Sequence, residues 1–404
     1  MIYNKHIEIF IILFYIFKNL FYLLRNNKYL FIKNICDDIS KINIVYIKIF
    51  QSISINSSFF DKKTQNYLIQ YTDNVPYKQS DIDNDALNYL KQFMKISMLP
   101  INSGIFALVY KGIYDENEVA IKILKKDIQD SLINCVENLE ILFYIFNFIP
   151  KIKNLNLYTF LIQNKNNLIN QTFFHNESSN LKNFKKSLID NDNIIIPKIY
   201  DYFTKSNTIV MDYIEGKKFT DLNKEDYNKY GKLLLNIYIT RQGINNYMHS
   251  DLHVGNILFL EDKICILDFG LVIKIKDKYE TLFFDLLYAC IIDNNYDFIY
   301  NNFNYFISNK INFDDLSNQN KLKLKESLNN YTKYVFENEL NLLNLINQIN
   351  NIIKEYDVSI DINIIEIAFA YSFIFNTLNE LLGKSCIDVF KNEFKKIFDI
   401  VSLE

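Results

Sequence analysis

In "HSDLHVGN", residues 249 to 256, Asp251 and Asn256 stand five residues apart, and Asp268 of "ILDFG" follows seventeen residues after Asp251. Phosphoryl transfer asks a protein chiefly for metal ligands, for positive charge on the phosphates and for a group that orients the attacking oxygen. These residues meet that need: Asp251 can accept a proton from a nucleophile, and Asn256 and Asp268 can offer oxygen to a magnesium ion. Lys122, in "VAIK", adds an ammonium on a β-prone run from which it can meet the α- and β-phosphates. Alone, such a strand reads as a solvated edge lysine. Four fixed residue types at these separations weigh against coincidence.

The elements that must carry these groups are legible in the hydrophobic pattern. Residues 1 to 95 read as a helical extension, with apolar residues at three- and four-residue spacing in "DDISKINIVYIKIFQSISI" and "KKTQNYLIQYTDNV". Residues 96 to 215 read as a small β-sheet unit with a helical insertion over about 126 to 190. Within it, "IFALVYKGIY" and "EVAIKIL" flank the turn-prone "DEN" as a hairpin, and "IIIPKIYDYF" and "TIVMDYIEG" look like a second strand pair. Residues 216 to 404 read as mostly helical, apart from the short hairpin "ILFLEDKICILDFG" that delivers Asp268. Helices, a small sheet and a helical remainder make the class α+β, with a cleft between two lobes.

Composition bounds the partners. The 404 residues carry 49% apolar side chains and a net charge of −3, with Lys and Arg spread along the chain. A large core is therefore expected, and a nucleic-acid face is not. The cysteines, Cys36, Cys135, Cys265, Cys290 and Cys386, form no CxxC pair or Cys/His cluster, which suits a reducing compartment and buried thiols. The run "IFIILFYIF", residues 9 to 17, is broken by Lys18 and falls short of the roughly twenty residues of a bilayer span. An amphipathic or buried helix is expected there, with a membrane-surface anchor and, after it, a true signal or span as the alternatives. "MIYNKHIEIF" is poor in Arg and Ser, so no clear transit peptide is read from it.

Together "VAIK", "VMDYIEG", "HSDLHVGN" and "ILDFG" resemble the protein-kinase-like bilobal fold: a β-sheet N-lobe with a helical insert, a mostly helical C-lobe and here an N-terminal helical extension. His253 and Gly255 are unlike the His-Arg-Asp loop of ordinary protein kinases, and no Ala-Pro-Glu segment follows the Asp-Phe-Gly. The chain is instead similar to the UbiB-type (aarF-domain, ADCK) atypical kinases. "HNESSNLKNF" is similar to that family's Glu-Ala-x-Asn helix, and "YIKIFQ" lies where the family carries Lys-x-Gly-Gln. The resemblance implies ATP and magnesium as cofactors and makes Glu177 the ion-pair partner of Lys122. It places Gly104 and Val109 in the phosphate-covering loop and beneath the adenine. It also sets Met211 at the back of the pocket, with backbone hydrogen bonds to the adenine near Asp212 and Ile214.

Several family elements are altered. Phe50 replaces the central glycine of Lys-x-Gly-Gln, "NSGI" replaces the alanine-rich loop, and the expected Glu-x-Asp pair falls on Gln171 and Phe173. In the family these elements are thought to restrain protein-kinase activity. The resemblance implies a kinase or ATPase with an unidentified acceptor. Two alternatives remain at this level: a nucleotide-binding pseudokinase that regulates a membrane-lipid or quinone-precursor pathway, and a choline- or aminoglycoside-type small-molecule kinase.

Overall fold

The computed structural model describes residues 2–56, 62–69, 75–149, 157–188, 192–239, 247–308, 316–338, 340–356, 358–383 and 386–401. Parts of the helical expectation, such as residues 70–74 and 150–156, lie outside the described residues. The chain divides into two compact units, residues 1–178 with 197–214 and residues 179–196 with 215–404.

The first unit opens with helices α1 (Ile2–Leu24), α2 (Lys28–Ile42), α3 (Val45–Asn56), α4 (Lys62–Ile69) and α5 (Asn84–Leu90). Their starts are set locally: Asn27 accepts from the Leu30 N–H to cap α2, and Asp83 from the Ala86 N–H to cap α5. A sheet of β1 (Lys95–Ile96), β2 (Asn102–Ser103), β3 (Ala107–Tyr114), β4 (Asn117–Leu124) and β6 (Thr208–Asp212) follows, with β3 and β4 at its centre. The hairpin closes through Asp115 and Glu116, both at positive φ, as a two-residue loop between right-twisted strands requires. The insert supplies α6 (Ile128–Phe146), α7 (Leu157–Asn170) and α8 (Phe174–Ser187), of which α8 belongs to this unit only as far as Ser178.

Alternation along β3 and β4 gives the sheet two buried faces. Val119, Ile121 and Ile123 pack with Leu108, Tyr110, Leu87, Leu90 and Phe203. Ala107, Leu124, Ile209 and Met211 face the other way, into a larger core built from α1, α3, α6 and α7. A polar knot sits in that core: Tyr46 Oη donates to Glu8 Oε2 at 2.8 Å, and Asn138 Nδ2 donates to both Tyr46 Oη (2.9 Å) and Glu8 Oε2 (3.1 Å). It holds the N-terminal helix on α3 and α6. The segment Ile7–Leu24 of α1 is long and apolar enough to cross a membrane by length and composition, and 17% of it is buried.

The second unit holds two small sheets: β5 (Ile194–Ile195), β9 (Lys263–Ile266) and β8 (Ile257–Leu260) in one, β7 (Tyr247–His249) and β10 (Val272–Lys274) in the other. The expected hairpin of β8 and β9 forms around Glu261 and Asp262. The expected pairing of "IIIPKIYDYF" with "TIVMDYIEG" holds over its second half alone: Ile199 bridges Met211 antiparallel, with the Tyr200 N–H donating to Val210 O and the Asp212 N–H to Lys198 O, whereas the run's start, β5, is parallel to β9. Pro197 lacks an N–H, and the chain changes unit there, so the run cannot continue as one strand. Helices α9 (Lys224–Ile239), α10 (Asp277–Ile291), α11 (Phe298–Asn301), α12 (Phe303–Phe306), α13 (Asn318–Asn338), α14 (Leu342–Ile353), α15 (Ile362–Leu382) and α16 (Cys386–Val401) complete it.

Gly112 and Gly104 differ in what a side chain would meet. A Cβ at Gly112 would lie 2.9 Å from the Lys95 carbonyl oxygen and 2.8 Å from Ile121 Cδ1, whereas at Gly104 the nearest atom is the Ala107 oxygen at 3.7 Å. Gly112→Ala is expected to cost about 1–3 kcal/mol in urea unfolding, the usual range for an overpacked core. Gly104→Ala should stay within about 0.5 kcal/mol of the parent.

Candidate nucleotide and phosphoryl-transfer site

The residues singled out in the sequence fall into two sets, one in each unit. In the first unit, register does the positioning. Lys122 pairs with Val109 across the hairpin and with Ile209 on β6, while Ala120 pairs with Met211. Directly opposed residues share a face, and residues two apart on one strand do too, so Val109, Ala120, Lys122 and Met211 line one side of the sheet. Lys122 Nζ donates to both oxygens of Glu177, at 2.9 Å each. Glu177 stands in the first turn of α8 and is 2% exposed, so its charge is taken from water only because the ammonium meets it. The Phe174 ring closes the pair on another side, 5.3 Å from Lys122 Nζ.

Around this face, the turn from β2 to β3 holds Gly104, whose N–H donates to the Ala107 carbonyl at 2.9 Å. The Phe106 carbonyl at its tip accepts from the Lys125 N–H at 2.8 Å. At the far end of β6 the Asp212 N–H donates to Lys198 O, and the Asp212 carboxylate accepts the Lys198 N–H. The Tyr213 N–H donates to Glu118 O. The Ile214 N–H makes no backbone hydrogen bond among the described residues. Of the altered family elements, Gln51 is buried and donates to Leu68 O at 2.7 Å, Phe50 packs against the core of α1, α3 and α6, and Phe173 is exposed.

In the second unit one imidazole organises the loop. His249 Nδ1 accepts the Asp251 N–H at 3.1 Å, and its Nε2 donates to the Asp268 carbonyl. Those two bonds fix the neutral Nε2–H tautomer. Burial pushes the His249 pKa below its ordinary 6.5, against the opposing pull of the Asp268 carbonyl. The ring is held edge-on by Phe184 and Phe269. Beyond it Asn256 Nδ2 donates to Asp251 O at 2.9 Å, so the carboxamide's nitrogen is occupied and its Oδ1 points the other way. Asp268 Oδ1 accepts the Gly270 N–H at 2.8 Å, and Asn180 Nδ2 donates to Phe269 O at 2.9 Å. His253 caps the following turn through the Gly255 N–H, with its Nε2 4.0 Å from Asp251 Oδ1.

A carboxylate and an amide oxygen suit a hard cation, and among the described residues no group of three His, Cys, Asp or Glu side chains offers a closed cage. That is the donor set of magnesium, which keeps waters and takes its other ligands from phosphates.

Sequence reasoning missed Asn180 and Thr377. Thr377 Oγ1 donates to Leu252 O at 2.6 Å from α15. Asn180 stood in the quoted "HNESSNLKNF" as the Asn of Glu-x-x-Asn, so a signal was present; for Thr377 none was.

The family model of the ABC1 atypical kinase-like domain matches residues 82–302, more than half of the chain. The chain belongs to this family. ABC1 relatives, also described by their aarF domain, include a probable serine/threonine-protein kinase of Dictyostelium discoideum (abkB), 27% identical over 205 residues, covering 46% of this chain and 30% of that one. The aarF domain-containing protein kinase 1 of Xenopus laevis is 24% identical over 234 residues, 55% of this chain and 44% of that protein. The chain thus spans less than half the length of these relatives. A solved complex of Rv3197 with erythromycin from Mycobacterium tuberculosis overlays at a TM-score of 0.43, with 14% identity over 73% of this chain and 79% of that one. Over residues 82–302 the α+β kinase-like fold is that of the ABC1 domain, and helices α1 to α4 precede it.

The His249 bonds carry a pH signature. A histidine whose folded pKa is depressed contributes stability in full above the unfolded value of about 6.5, and loses it as pH falls toward the folded value. Urea midpoints of the parent should therefore fall between about pH 7 and pH 5, with a slope of up to about 1.4 kcal/mol per pH unit from this group. In His249→Gln, which does not titrate, that part of the slope should vanish.

Proposed function

We propose that this chain is an ATP- and magnesium-dependent phosphotransferase or ATPase of the ABC1 type, passing the γ-phosphoryl group to a hydroxyl acceptor or to water. The observation that carries the proposal is the paired Lys122 and Glu177, at 2.9 Å, on the sheet face shared with Val109 and Met211. An ammonium locked this way can hold the α- and β-phosphates without wandering. Val109 and Met211 give the adenine an apolar bed, with Gly104 in the turn over the phosphates and the backbone at Asp212 and Ile214 as its hydrogen-bonding edge. Asn256 and Asp268 are the residues that would hold magnesium, which supplies charge neutralisation on the phosphates when bound. Asp251 orients the attacking oxygen and takes its proton on a carboxylate oxygen. His249 does no proton transfer; it keeps Asp251 and Asp268 in place.

This reading predicts a split among variants. Lys122→Ala and Asp268→Ala should lose binding of magnesium nucleotide in calorimetry. Asp251→Asn should bind it as the parent does but lose about 10²–10⁴-fold in phosphate release, the usual share of a general base. A parent that binds nucleotide without releasing phosphate, with protein, small-molecule or lipid additions, would instead be a non-catalytic nucleotide-binding regulator. Parent-like nucleotide binding by both Lys122→Ala and Asp268→Ala would refute the site assignment.

For where the chain acts, we propose that α1 rests on a lipid surface. Ile7, Phe10, Phe14, Phe17, Phe21 and Leu24 recur every three or four residues and are exposed, Phe14 by 62% and Leu24 by 86%. The opposite face is occupied by the protein: Ile9, Ile12 and Asn19 are buried, and Glu8 turns inward to Tyr46. An aromatic stripe with the Arg25 guanidinium over Phe21, and with Glu8 turned inward and Lys18 paired with Asp38, suits in-plane docking on anionic lipid. The parent should co-sediment with vesicles containing phosphatidylserine, and Phe14→Ser with Phe17→Ser should remain in the supernatant. Equal sedimentation of both would refute lipid docking through this stripe.

A further inference from the structure

Helix α15 (Ile362–Leu382) lies beyond residues 82–302, the segment that matches the ABC1 family model. Thr377, 1% exposed on that helix, nonetheless donates its hydroxyl to the carbonyl of Leu252 at 2.6 Å. A helical threonine or serine ordinarily returns its proton to a carbonyl three or four residues back in its own helix. Thr332 does so to Leu328 at 2.7 Å, and Ser372, on the same helix as Thr377, does so to Phe369 at 2.7 Å. Thr377 instead reaches a loop 125 positions earlier in the chain.

The bond it makes there is the missing member of a set. The Asp251 carbonyl is held by Asn256 Nδ2, the Asp251 N–H by His249 Nδ1, and the Asp268 carbonyl by the same imidazole. The His253 and Val254 carbonyls are met by the Asn256 and Ile257 N–H groups, whereas among the described residues the Leu252 carbonyl is met by the Thr377 hydroxyl and by no backbone N–H. Leu252 itself is fully buried, so water cannot supply that bond, and an unpaired buried carbonyl is costly. Fixing the peptide plane between Leu252 and His253 fixes the direction in which the chain leaves Asp251 and enters the turn that presents Asn256.

We propose that Thr377 is a positioning residue for phosphoryl transfer, holding the Asp251 carboxylate and the Asn256 carboxamide in one arrangement through the Leu252 carbonyl. The proposal rests on the roles given above to Asp251 and Asn256. It makes the helix that follows the family segment part of the working site. The effect expected is that of other residues that orient metal ligands from behind, about 10- to 100-fold in activity or metal affinity.

Two variants of the full chain separate the hydroxyl from the fold. Thr377→Val keeps the shape and removes the donor; Thr377→Ser keeps the donor and removes a methyl group. Both are compared with the parent at a temperature where circular dichroism shows each fully folded. Two readouts are taken: phosphate release from saturating ATP with magnesium, and Mn²⁺ affinity of the ADP complex by electron paramagnetic resonance. Thr377→Val should lose about tenfold or more in both, and Thr377→Ser should remain near the parent. Equal values for Thr377→Val and the parent, or equal losses in both variants, overturn the proposal in favour of a packing role. A parent that binds Mn²⁺ with ADP but releases no phosphate fails the phosphotransferase reading alone. In that case the Mn²⁺ affinities still decide for or against Thr377. A parent that binds neither metal nor nucleotide overturns both.

Discussion

The second unit turns on a neutral imidazole. His249 accepts the Asp251 N–H on one nitrogen and donates to the Asp268 carbonyl from the other, so a single ring spans two loops seventeen residues apart. It works only while uncharged, because a protonated ring cannot accept a hydrogen bond. Burial among Phe184 and Phe269 secures that state, since the cost of desolvating an imidazolium exceeds what nearby carbonyls return. The strands beneath it agree: β7 ends at His249 and pairs with β10, which begins just after the Asp-Phe-Gly, with Val272 opposite His249. Asn256, Asn180 and Thr377 then tie down carbonyls that this frame has already brought close.

The first unit solves a different problem, that of keeping an ammonium aimed. Lys122 is paired with a carboxylate that has almost no exposure, at the head of a helix whose dipole also favours negative charge there. Two charges taken out of water return little net stability even when they meet at 2.9 Å, so the pair's physical effect is chiefly to fix where the ammonium sits. The knot of Glu8, Tyr46 and Asn138 does comparable work in the helical extension, where a half-buried carboxylate meets the buried Tyr46 hydroxyl and Asn138 amide and fixes the register of α1.

Much of this was legible in the sequence, for reasons that are local. Alternation in "EVAIKIL" put Lys122 on the face opposite Val119, Ile121 and Ile123, and the Asp-Glu turn closed its hairpin within a few residues. The His-x-Asp and Asp-Phe-Gly positions were readable because short strands of fixed length separate them. Legibility ended where partners come from far along the chain. Thr377 meets Leu252 across 125 residues and Asn138 meets Glu8 across 130, and no periodicity encodes such a meeting. The pairing of β5 with β9 was missed because a two-residue strand ahead of a proline carries too little pattern to show its direction. Family resemblance supplied what spacing could not, above all the partnership of Glu177 with Lys122 across 55 residues.

The five cysteines are all buried and unbridged. Burial pushes the thiols of Cys265 and Cys290 up to about 12 and that of Cys386 to about 11, and raises Cys36 and Cys135 as well. Few thiolates therefore exist near neutral pH, and thiolates are the species that alkylating reagents and peroxides attack. Slow reaction of the folded chain with sulfhydryl probes is the expected consequence. A cysteine placed at an exposed position such as Leu24 or Tyr202 would then carry a spectroscopic label against almost no background, without removing any of the five.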